Sequence, residues 1–239
     1  MDRRRCPPKD YRLTVGACYA LNPRAKPASF ASDNSTEITM HTFQYGTPEI
    51  EYLRKQDRRL GTAIDEIGMI ERKVTPDIFT ALIASVASQQ ISAKAAETVR
   101  GRMEERFVCI TPDTIASATL EEIQQCGMSM KKAGYIKGIG DAIAEGSLDL
   151  DGLHELSDDE VIARLTALNG VGVWTAEMLL IFSMERPDVV SWGDLAIRRG
   201  MMRLYGKEAI HRATFDRYRK RYSPYGSVAS LYLWEFSHR

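Results

Sequence analysis

The chain has 239 residues, of which 44% are hydrophobic and 27% are charged, so it can bury a core as one domain or as two small lobes. No apolar run approaches the about 18 residues that a membrane-spanning helix needs. The basic start at residues 1–6 leads into prolines rather than into an apolar secretory segment. We therefore expect a cytoplasmic protein with no membrane partner.

The charges cancel, with 32 basic and 32 acidic residues, whereas most nucleic-acid-binding proteins are visibly basic. Their distribution is uneven, however. The segment 149–160 is acidic, and the basic residues gather at Lys131-Lys132, Lys137, Arg198-Arg199, Arg203 and residues 217–221. A neutral total is thus compatible with one basic face, and a solvated surface of mixed charge is the alternative.

The first 39 residues differ in composition from the rest of the chain. They contain three consecutive arginines, four prolines and a polar stretch at 32–36, with little helical periodicity. We expect a poorly ordered N-terminal arm or an over-extended start codon in this part, and a domain over residues 40–239.

The remainder is predicted to be almost wholly helical, with no alternating strand pattern. Apolar residues recur at spacings of three and four in 78–86, 95–103, 161–168, 175–182 and 228–236. Ser157 with Glu160 three residues later predicts a capping box, and therefore a helix from there to about Ala167. Thr75-Pro76 predicts another helix start, with Thr75 as the cap and proline in the first helical position.

Two glycines stand between two of these predicted helices, in the string Leu168-Asn169-Gly170-Val171-Gly172-Val173-Trp174-Thr175-Ala176. Glycine lets the backbone approach a phosphate closely, because no Cβ blocks it, and the amides that begin the next helix then face that anion. A tight connection between two helices is the alternative explanation. A carboxylate, Asp194, follows Trp174 by twenty residues.

Together with Asp194, this string resembles the helix-hairpin-helix DNA glycosylase superfamily. Three further segments resemble its alkylpurine, or 3-methyladenine II, branch: Ser88-Gln89-Gln90-Ile91-Ser92 with Lys94-Ala95-Ala96, residues 127–136, and Pro224-Tyr225 leading to Leu231-Tyr232-Leu233-Trp234. The resemblance covers about residues 40–239 and places the hairpin at about 157–185. It implies an all-α fold of two helical lobes with an interlobe cleft, lacking the N-terminal β-rich lobe of larger relatives.

The resemblance implies a hydrolase of base-excision repair. Such an enzyme flips an alkylated purine of the 3-methyladenine or 7-methylguanine type out of double-stranded DNA and hydrolyses its N-glycosidic bond. Positive charge grows on the sugar as the base departs, and a nearby carboxylate stabilises it. Asp194 matches the family position of that carboxylate. Spacing alone favours a helix N-cap before the amphipathic run 195–204, and the two roles are compatible.

Trp174 bears on the type of reaction. Glycosylases that also cleave the strand carry a Schiff-base lysine at this position. Tryptophan has no amine, so the resemblance implies a monofunctional enzyme that leaves an abasic site. A core position is the alternative for Trp174. By resemblance, Gln90 is the DNA wedge and Gln89 supports its turn, whereas an exposed amide at a helix junction is the alternative for Gln90.

Aromatic side chains are expected to line the base pocket, because a cationic alkylated purine is attracted to an electron-rich ring face. Trp234 matches a pocket position of the family, and Trp192 and Tyr225 are weaker candidates, since aromatic residues at helical spacing are more often core. Trp174 is included with them. Met178 stands where some relatives have a pocket tyrosine, and Gly226 stands where an arginine commonly follows, so the preferred base is left open.

The phosphate-binding residues implied at the hairpin are Gly170, Val171, Gly172 and Thr175. The resemblance also implies a monovalent cation, Na or K, held by the backbone carbonyls of Thr166, Leu168 and Val171, with no cofactor for the chemistry. Some relatives carry a cysteine-ligated iron–sulfur cluster near the C-terminus. The four cysteines here are Cys6, Cys18, Cys109 and Cys126, so we expect no cluster.

The implied partner is double-stranded DNA with damaged bases, bound by a monomer. A glycosylase of the same fold that acts on another lesion, such as 8-oxoguanine, uracil or a mismatch, is the main alternative. The missing lysine and the missing cluster count against it. A non-catalytic hairpin module is a weaker alternative, since it has no need of Asp194, Gln90 and Trp234 at the family positions.

Overall fold

The structure, a computed structural model, describes residues 41–238. These residues form two compact units, of which the first comprises residues 75–179 and the second residues 41–74 and 180–238. The arm predicted over residues 1–39 lies outside the described residues. No helix within residues 41–238 is both long and apolar enough to span a membrane.

The prediction of an all-α fold is confirmed. Apart from an isolated bridge between Thr42 and Lys73, no β-structure occurs within residues 41–238. A 3-10 helix spans Asp151–Glu155. The α-helices of the described chain are α1 (Thr47–Gln56), α2 (Arg58–Ile67), α3 (Ile78–Ser88), α4 (Ala93–Arg106), α5 (Pro112–Ser117), α6 (Leu120–Gln124), α7 (Met130–Ala144), α8 (Asp158–Thr166), α9 (Val173–Phe182), α10 (Leu195–Tyr205), α11 (Arg212–Tyr222) and α12 (Gly226–Phe236).

The first unit is built around α3, whose residues 78–87 are all buried. A helix that is apolar on every side needs partners on every side, and α3 packs against α4 and α7. Helix α7 also packs against α5 and α6, burying Ala133, Ile136 and Ile139. Helix α3 is therefore the central helix in the core of this unit.

In the second unit, α10 packs against α12, and both contact α2. The approach of α10 to α12 is closest at Gly200, where an added Cβ would lie 2.0 Å from the carbonyl oxygen of Leu233. Only glycine allows this separation of the two backbones. The contact fixes α10, the helix that follows Asp194.

Two of the predicted helix starts had different outcomes. The capping box at Ser157 is confirmed, because the Glu160 amide donates to the Ser157 hydroxyl and the Glu160 carboxylate accepts from the Ser157 amide. The prediction that Thr75 caps a helix was wrong. Helix α3 begins at Ile78, and the Asp77 carboxylate accepts from the Thr80 amide at 2.6 Å. Aspartate caps at least as well as threonine, and here it stands closer to the apolar run.

Candidate active site

The fold requires glycine at one of the two hairpin positions and not at the other. Gly170 has φ +87°, and an added Cβ would lie 2.3 Å from the Tyr135 ring, so both the backbone and the packing of the first unit require glycine there. Gly172 is exposed, and an added Cβ would meet no atom within 4 Å. The fold therefore does not require a glycine at Gly172, which leaves open space at the start of α9.

This open space lies where α9 begins. The Gly172 carbonyl accepts from the Ala176 amide at 3.1 Å, which makes Gly172 the residue before the first turn of the helix. Amides in the first turn of any α-helix lack acceptors within the helix, and they attract anions together with the helix dipole. Thr175 is only 4% exposed, so the exposed residues at this helix start, Gly172 and Val173, are better placed for a phosphate contact than Thr175.

The two predicted wedge glutamines lie in the turn between α3 and α4. Gln90 is exposed and has φ +56°, a left-handed conformation that is uncommon for residues other than glycine. The Gln89 side chain reaches the hairpin, where its Nε2 donates to the Gly170 carbonyl at 2.9 Å. The turn that presents Gln90 is thus hydrogen-bonded to the hairpin of the same unit.

Lys132 on α7 also holds this turn, a contact that sequence reasoning missed. Its ammonium donates to the carbonyl of Ala87 at 3.0 Å and to the carbonyl of Gln89. A cation placed at the C-terminal end of α3 is stabilised by the helix dipole. Desolvation by burial lowers the pKa of Lys132. The basic pair Lys131-Lys132 was noted from the sequence, but no sequence pattern indicated a contact between Lys132 and Gln89, which are 43 positions apart.

In the second unit, Asp194 caps α10. Its Oδ1 accepts from the amides of Ala196 at 2.8 Å and Ile197 at 2.9 Å, and the residue is 7% exposed. The N-cap that spacing favoured is therefore confirmed. Two amide donors and the positive end of the helix dipole stabilise a carboxylate and hold it in one orientation.

The aromatic pocket candidates of the second unit have different surroundings. Trp234 is 6% exposed, and its ring lies 5.4 Å from that of Phe182. Tyr225, just before α12, packs edge-on against Tyr52 at 5.2 Å. Trp192 packs edge-on against Phe215 at 5.1 Å, with two guanidinium groups near its ring. Of these three, Trp192 has its ring engaged by cations.

The remaining candidates belong to the first unit and lie on α9. Trp174 is half-buried in the first turn, and Met178 is 3% exposed one turn later. At the proposed carbonyl site, Thr166 ends α8, and the Leu168 carbonyl accepts from the Val171 amide at 3.2 Å. Residues 41–238 contain no group of three or more His, Cys, Asp or Glu side chains arranged to hold a metal ion.

The described chain is thus all-helical, with a glycine turn before α9 and an aspartate that caps α10. The chain matches the family model "HhH-GPD superfamily base excision DNA repair protein" over residues 83–224. It is therefore a member of the HhH-GPD superfamily, as the sequence resemblance indicated.

Several named proteins are similar to the chain. DNA-3-methyladenine glycosylase 1 of Schizosaccharomyces pombe is 36% identical over 163 residues, which cover 65% of this chain and 71% of that protein. The crystal structure of a DNA-3-methyladenine glycosidase from Bacillus halodurans is 35% identical, with a TM-score of 0.75, covering 83% of this chain and 93% of that one. A 3-methyladenine DNA glycosylase of Schizosaccharomyces pombe in complex with abasic DNA is 29% identical, with a TM-score of 0.68, covering 79% and 96%. The chain spans about half the length of several other curated relatives that it matches.

Proposed function

We propose that this protein is a monofunctional DNA glycosylase that flips an alkylated purine, of the 3-methyladenine or 7-methylguanine type, out of duplex DNA and hydrolyses its N-glycosidic bond. The observation that carries the proposal is the carboxylate of Asp194, held by two amides at the start of α10 in a member of the HhH-GPD superfamily. The similarity to proteins named DNA-3-methyladenine glycosylase supports the choice of substrate class.

The reaction needs few groups from the protein. As the bond from C1′ to the base nitrogen breaks, its electron pair leaves with the base, and a cationic alkylated purine departs as a neutral molecule. Positive charge then develops on the sugar, where the Asp194 carboxylate stabilises it. Water adds to C1′ and gives its proton to the carboxylate, which acts as a general base. The products are a free base and an abasic site.

Binding and flipping are proposed for the first unit. The open N-terminus of α9 at Gly172 binds a phosphate of the DNA backbone, with contacts from the amides that follow Val171. Gln90, presented by its left-handed turn, enters the base stack and offsets the cost of extruding the nucleotide. The hydrogen bond from Gln89 to Gly170 keeps the wedge turn and the phosphate site in a fixed relation.

Base recognition is proposed for the aromatic residues. A cationic purine is attracted to a ring face more strongly than a neutral one, so aromatic stacking favours alkylated bases over normal bases. Trp234 is the main candidate, with Tyr225 of the same unit as a further contact. The enzyme acts as a monomer on double-stranded DNA.

A monovalent cation is proposed at the hairpin. Thr166 is the last residue of α8, and the last carbonyls of a helix have no donor within it. The Leu168 carbonyl accepts one amide and has a second lone pair. These oxygens, with that of Val171, are suited to Na or K. The bound ion would add positive charge beside the DNA phosphate.

The test of this function is the release of free bases from methylated duplex DNA, identified by chromatography. The proposed function requires release of 3-methyladenine or 7-methylguanine. Release of neither base, together with activity on a panel of oligonucleotides containing 8-oxoguanine, uracil or mismatches, would assign the protein to another lesion.

A further inference from the structure

A tryptophan and two arginines form a cluster in the second unit. The guanidinium carbon of Arg198, on α10, lies 4.9 Å from the centre of the Trp192 ring, and that of Arg212, on α11, lies 5.6 Å from it. The edge-on contact with Phe215 holds the ring. We name Trp192, Arg198 and Arg212 the tryptophan–arginine cluster.

The two arginines of the cluster differ in their partners. Nε of Arg212 donates to both carboxylate oxygens of Asp216, at 2.9 and 3.0 Å. Nε of Arg198 is buried and finds no hydrogen-bond acceptor within residues 41–238. A buried charged donor without an acceptor is unfavourable, and a bound ion is one of the explanations for such a group in a native protein. Arg198 is therefore the member of the cluster that needs an anion.

The position of Arg198 indicates which anion this is. Its amide donates to the Asp194 carbonyl at 3.1 Å, so the two residues are one helical turn apart on the same side of α10. A cation near Asp194 repels the positive charge that develops on the sugar and so works against the carboxylate. This repulsion is removed when an anion neutralises the cation. The anion that DNA brings to this place is the phosphodiester next to the nucleotide being excised.

The charge of the surrounding sequence fits a DNA backbone. Residues 195–222, which include α10 and α11, contain nine basic and two acidic residues, although the whole chain is neutral. Some of these cations already have partners, since Arg221 pairs with Asp57 and Arg219 donates to the Asp188 carbonyl. Arg198 differs from these two arginines because its Nε is buried without an acceptor among the described residues, while its guanidinium lies over the Trp192 ring. Contact with an aromatic face orients the flat guanidinium fork for two parallel hydrogen bonds to phosphate oxygens.

We infer that the tryptophan–arginine cluster is a phosphodiester-binding site, in which Arg198, stacked on Trp192, binds a backbone phosphate next to the excised nucleotide. Trp192 then supports a phosphate contact rather than lining the base pocket. The inference rests on the proposed function, because it takes duplex DNA as the ligand. It places a phosphate contact in the second unit, in addition to the hairpin in the first.

The test measures binding of the full chain to a fluorescein-labelled duplex with a tetrahydrofuran abasic analogue, by anisotropy over a range of salt concentrations. Arg198→Gln should weaken binding by about 5- to 10-fold and reduce the slope of log K against log salt by about 0.9, the value for one phosphate. The matched control is Lys55→Gln, which removes an exposed charge at the end of α1, outside residues 195–222, and should leave the slope unchanged. An Arg198→Gln slope equal to that of the wild type overturns the inference.

Neutral methylphosphonates at single positions around the abasic analogue then locate the contact. A methylphosphonate at one of these positions should weaken binding of the wild type by about as much as Arg198→Gln does. The same methylphosphonate should have little further effect on binding of Arg198→Gln. Thermal unfolding checks that the variant is folded. If Arg198→Gln is not folded, Arg198→Lys replaces it in the test, because lysine keeps the charge but lacks the guanidinium fork. The methylphosphonate at that position should weaken binding of Arg198→Lys by at most half as much as it weakens binding of the wild type. Equal losses in both proteins overturn the inference. Failure of the wild type to bind the duplex at all would instead contradict the proposed function itself.

Discussion

The side chain of Gln89 is joined to the hairpin through Gly170, because its Nε2 donates to the Gly170 carbonyl at 2.9 Å. The two residues are 81 positions apart in the chain, yet they connect the turn that carries Gln90 with the turn that precedes α9. The proposed wedge and the proposed phosphate site are thereby hydrogen-bonded to each other within one unit.

Gln89→Ala should therefore weaken flipping more than it weakens the fold. We expect a loss of about 1 kcal/mol in the free energy of unfolding, the usual value for one hydrogen bond. The fluorescence increase of 2-aminopurine placed beside the damaged base reports flipping and should become smaller or slower. Gln125→Ala, at an exposed position at the end of α6, is the control. Flipping at the wild-type rate and amplitude would show that the hydrogen bond does not position the wedge.

The two hairpin glycines offer a matched pair. Gly170→Ala forces a left-handed residue and a Cβ against the Tyr135 ring, so the free energy of unfolding should fall by about 1–3 kcal/mol. Gly172→Ala meets open space, and stability should change by less than about 0.5 kcal/mol. Its methyl group obstructs the phosphate, so DNA affinity should fall while the fold is kept. Urea unfolding and anisotropy measure the two effects, and undiminished DNA affinity of Gly172→Ala would remove the phosphate from this position.

A buried carboxylate in the second unit should make stability depend on pH. Burial raises the pKa of Asp57, but hydrogen bonds from the Tyr205 hydroxyl, the Leu60 amide and Arg221 outweigh it and lower the pKa overall. Because the folded pKa lies below the unfolded value of about 3.9, this stabilisation is complete above that value and is lost as pH falls through the folded pKa.

Asp57→Asn isolates this contribution, because asparagine still caps α2. The variant should be less stable than the wild type by about 1–3 kcal/mol at pH 7, and the difference should shrink below about pH 4. Urea unfolding of both proteins from pH 7 to pH 3 measures it. A difference that stays constant over this range would argue against an ionised Asp57 as the stabilising partner.

The features that the sequence predicted are mostly local. The helix period located α3, α4, α8, α9 and α12, and the capping box at Ser157 has its serine and glutamate only three residues apart. The wrongly predicted cap of α3 lies where two nearby residues can each cap the helix, and Asp77 rather than Thr75 does so.

The contacts that escaped prediction join residues that are distant in the chain. Lys132 reaches the carbonyls at the end of α3 across about 45 residues, and Tyr205 reaches Asp57 across 148. Hydrophobic periodicity specifies which face of a helix is buried, but it does not specify which polar group meets which on folding. The buried Nε of Arg198 and its position over the Trp192 ring likewise correspond to no sequence motif.

Trp174 leads to a prediction about the reaction intermediate. A glycosylase that cleaves the strand forms a Schiff base between a lysine amine and the sugar, and borohydride reduces it to a stable adduct. Because tryptophan stands at this position, incubation with damaged DNA and borohydride should give no covalent complex on a denaturing gel. A known lysine-dependent glycosylase is the positive control. A trapped adduct would mean that the enzyme is bifunctional.

The most direct measurement compares base release from methylated duplex DNA by the wild type and by Asp194→Asn. Asparagine keeps the hydrogen bonds to the amides of Ala196 and Ile197, so the variant should fold and bind abasic DNA as the wild type does. Without the carboxylate charge, release of 3-methyladenine or 7-methylguanine should fall by about 1,000-fold. Release by Asp194→Asn at a rate close to that of the wild type would contradict the assignment of Asp194 as the catalytic carboxylate.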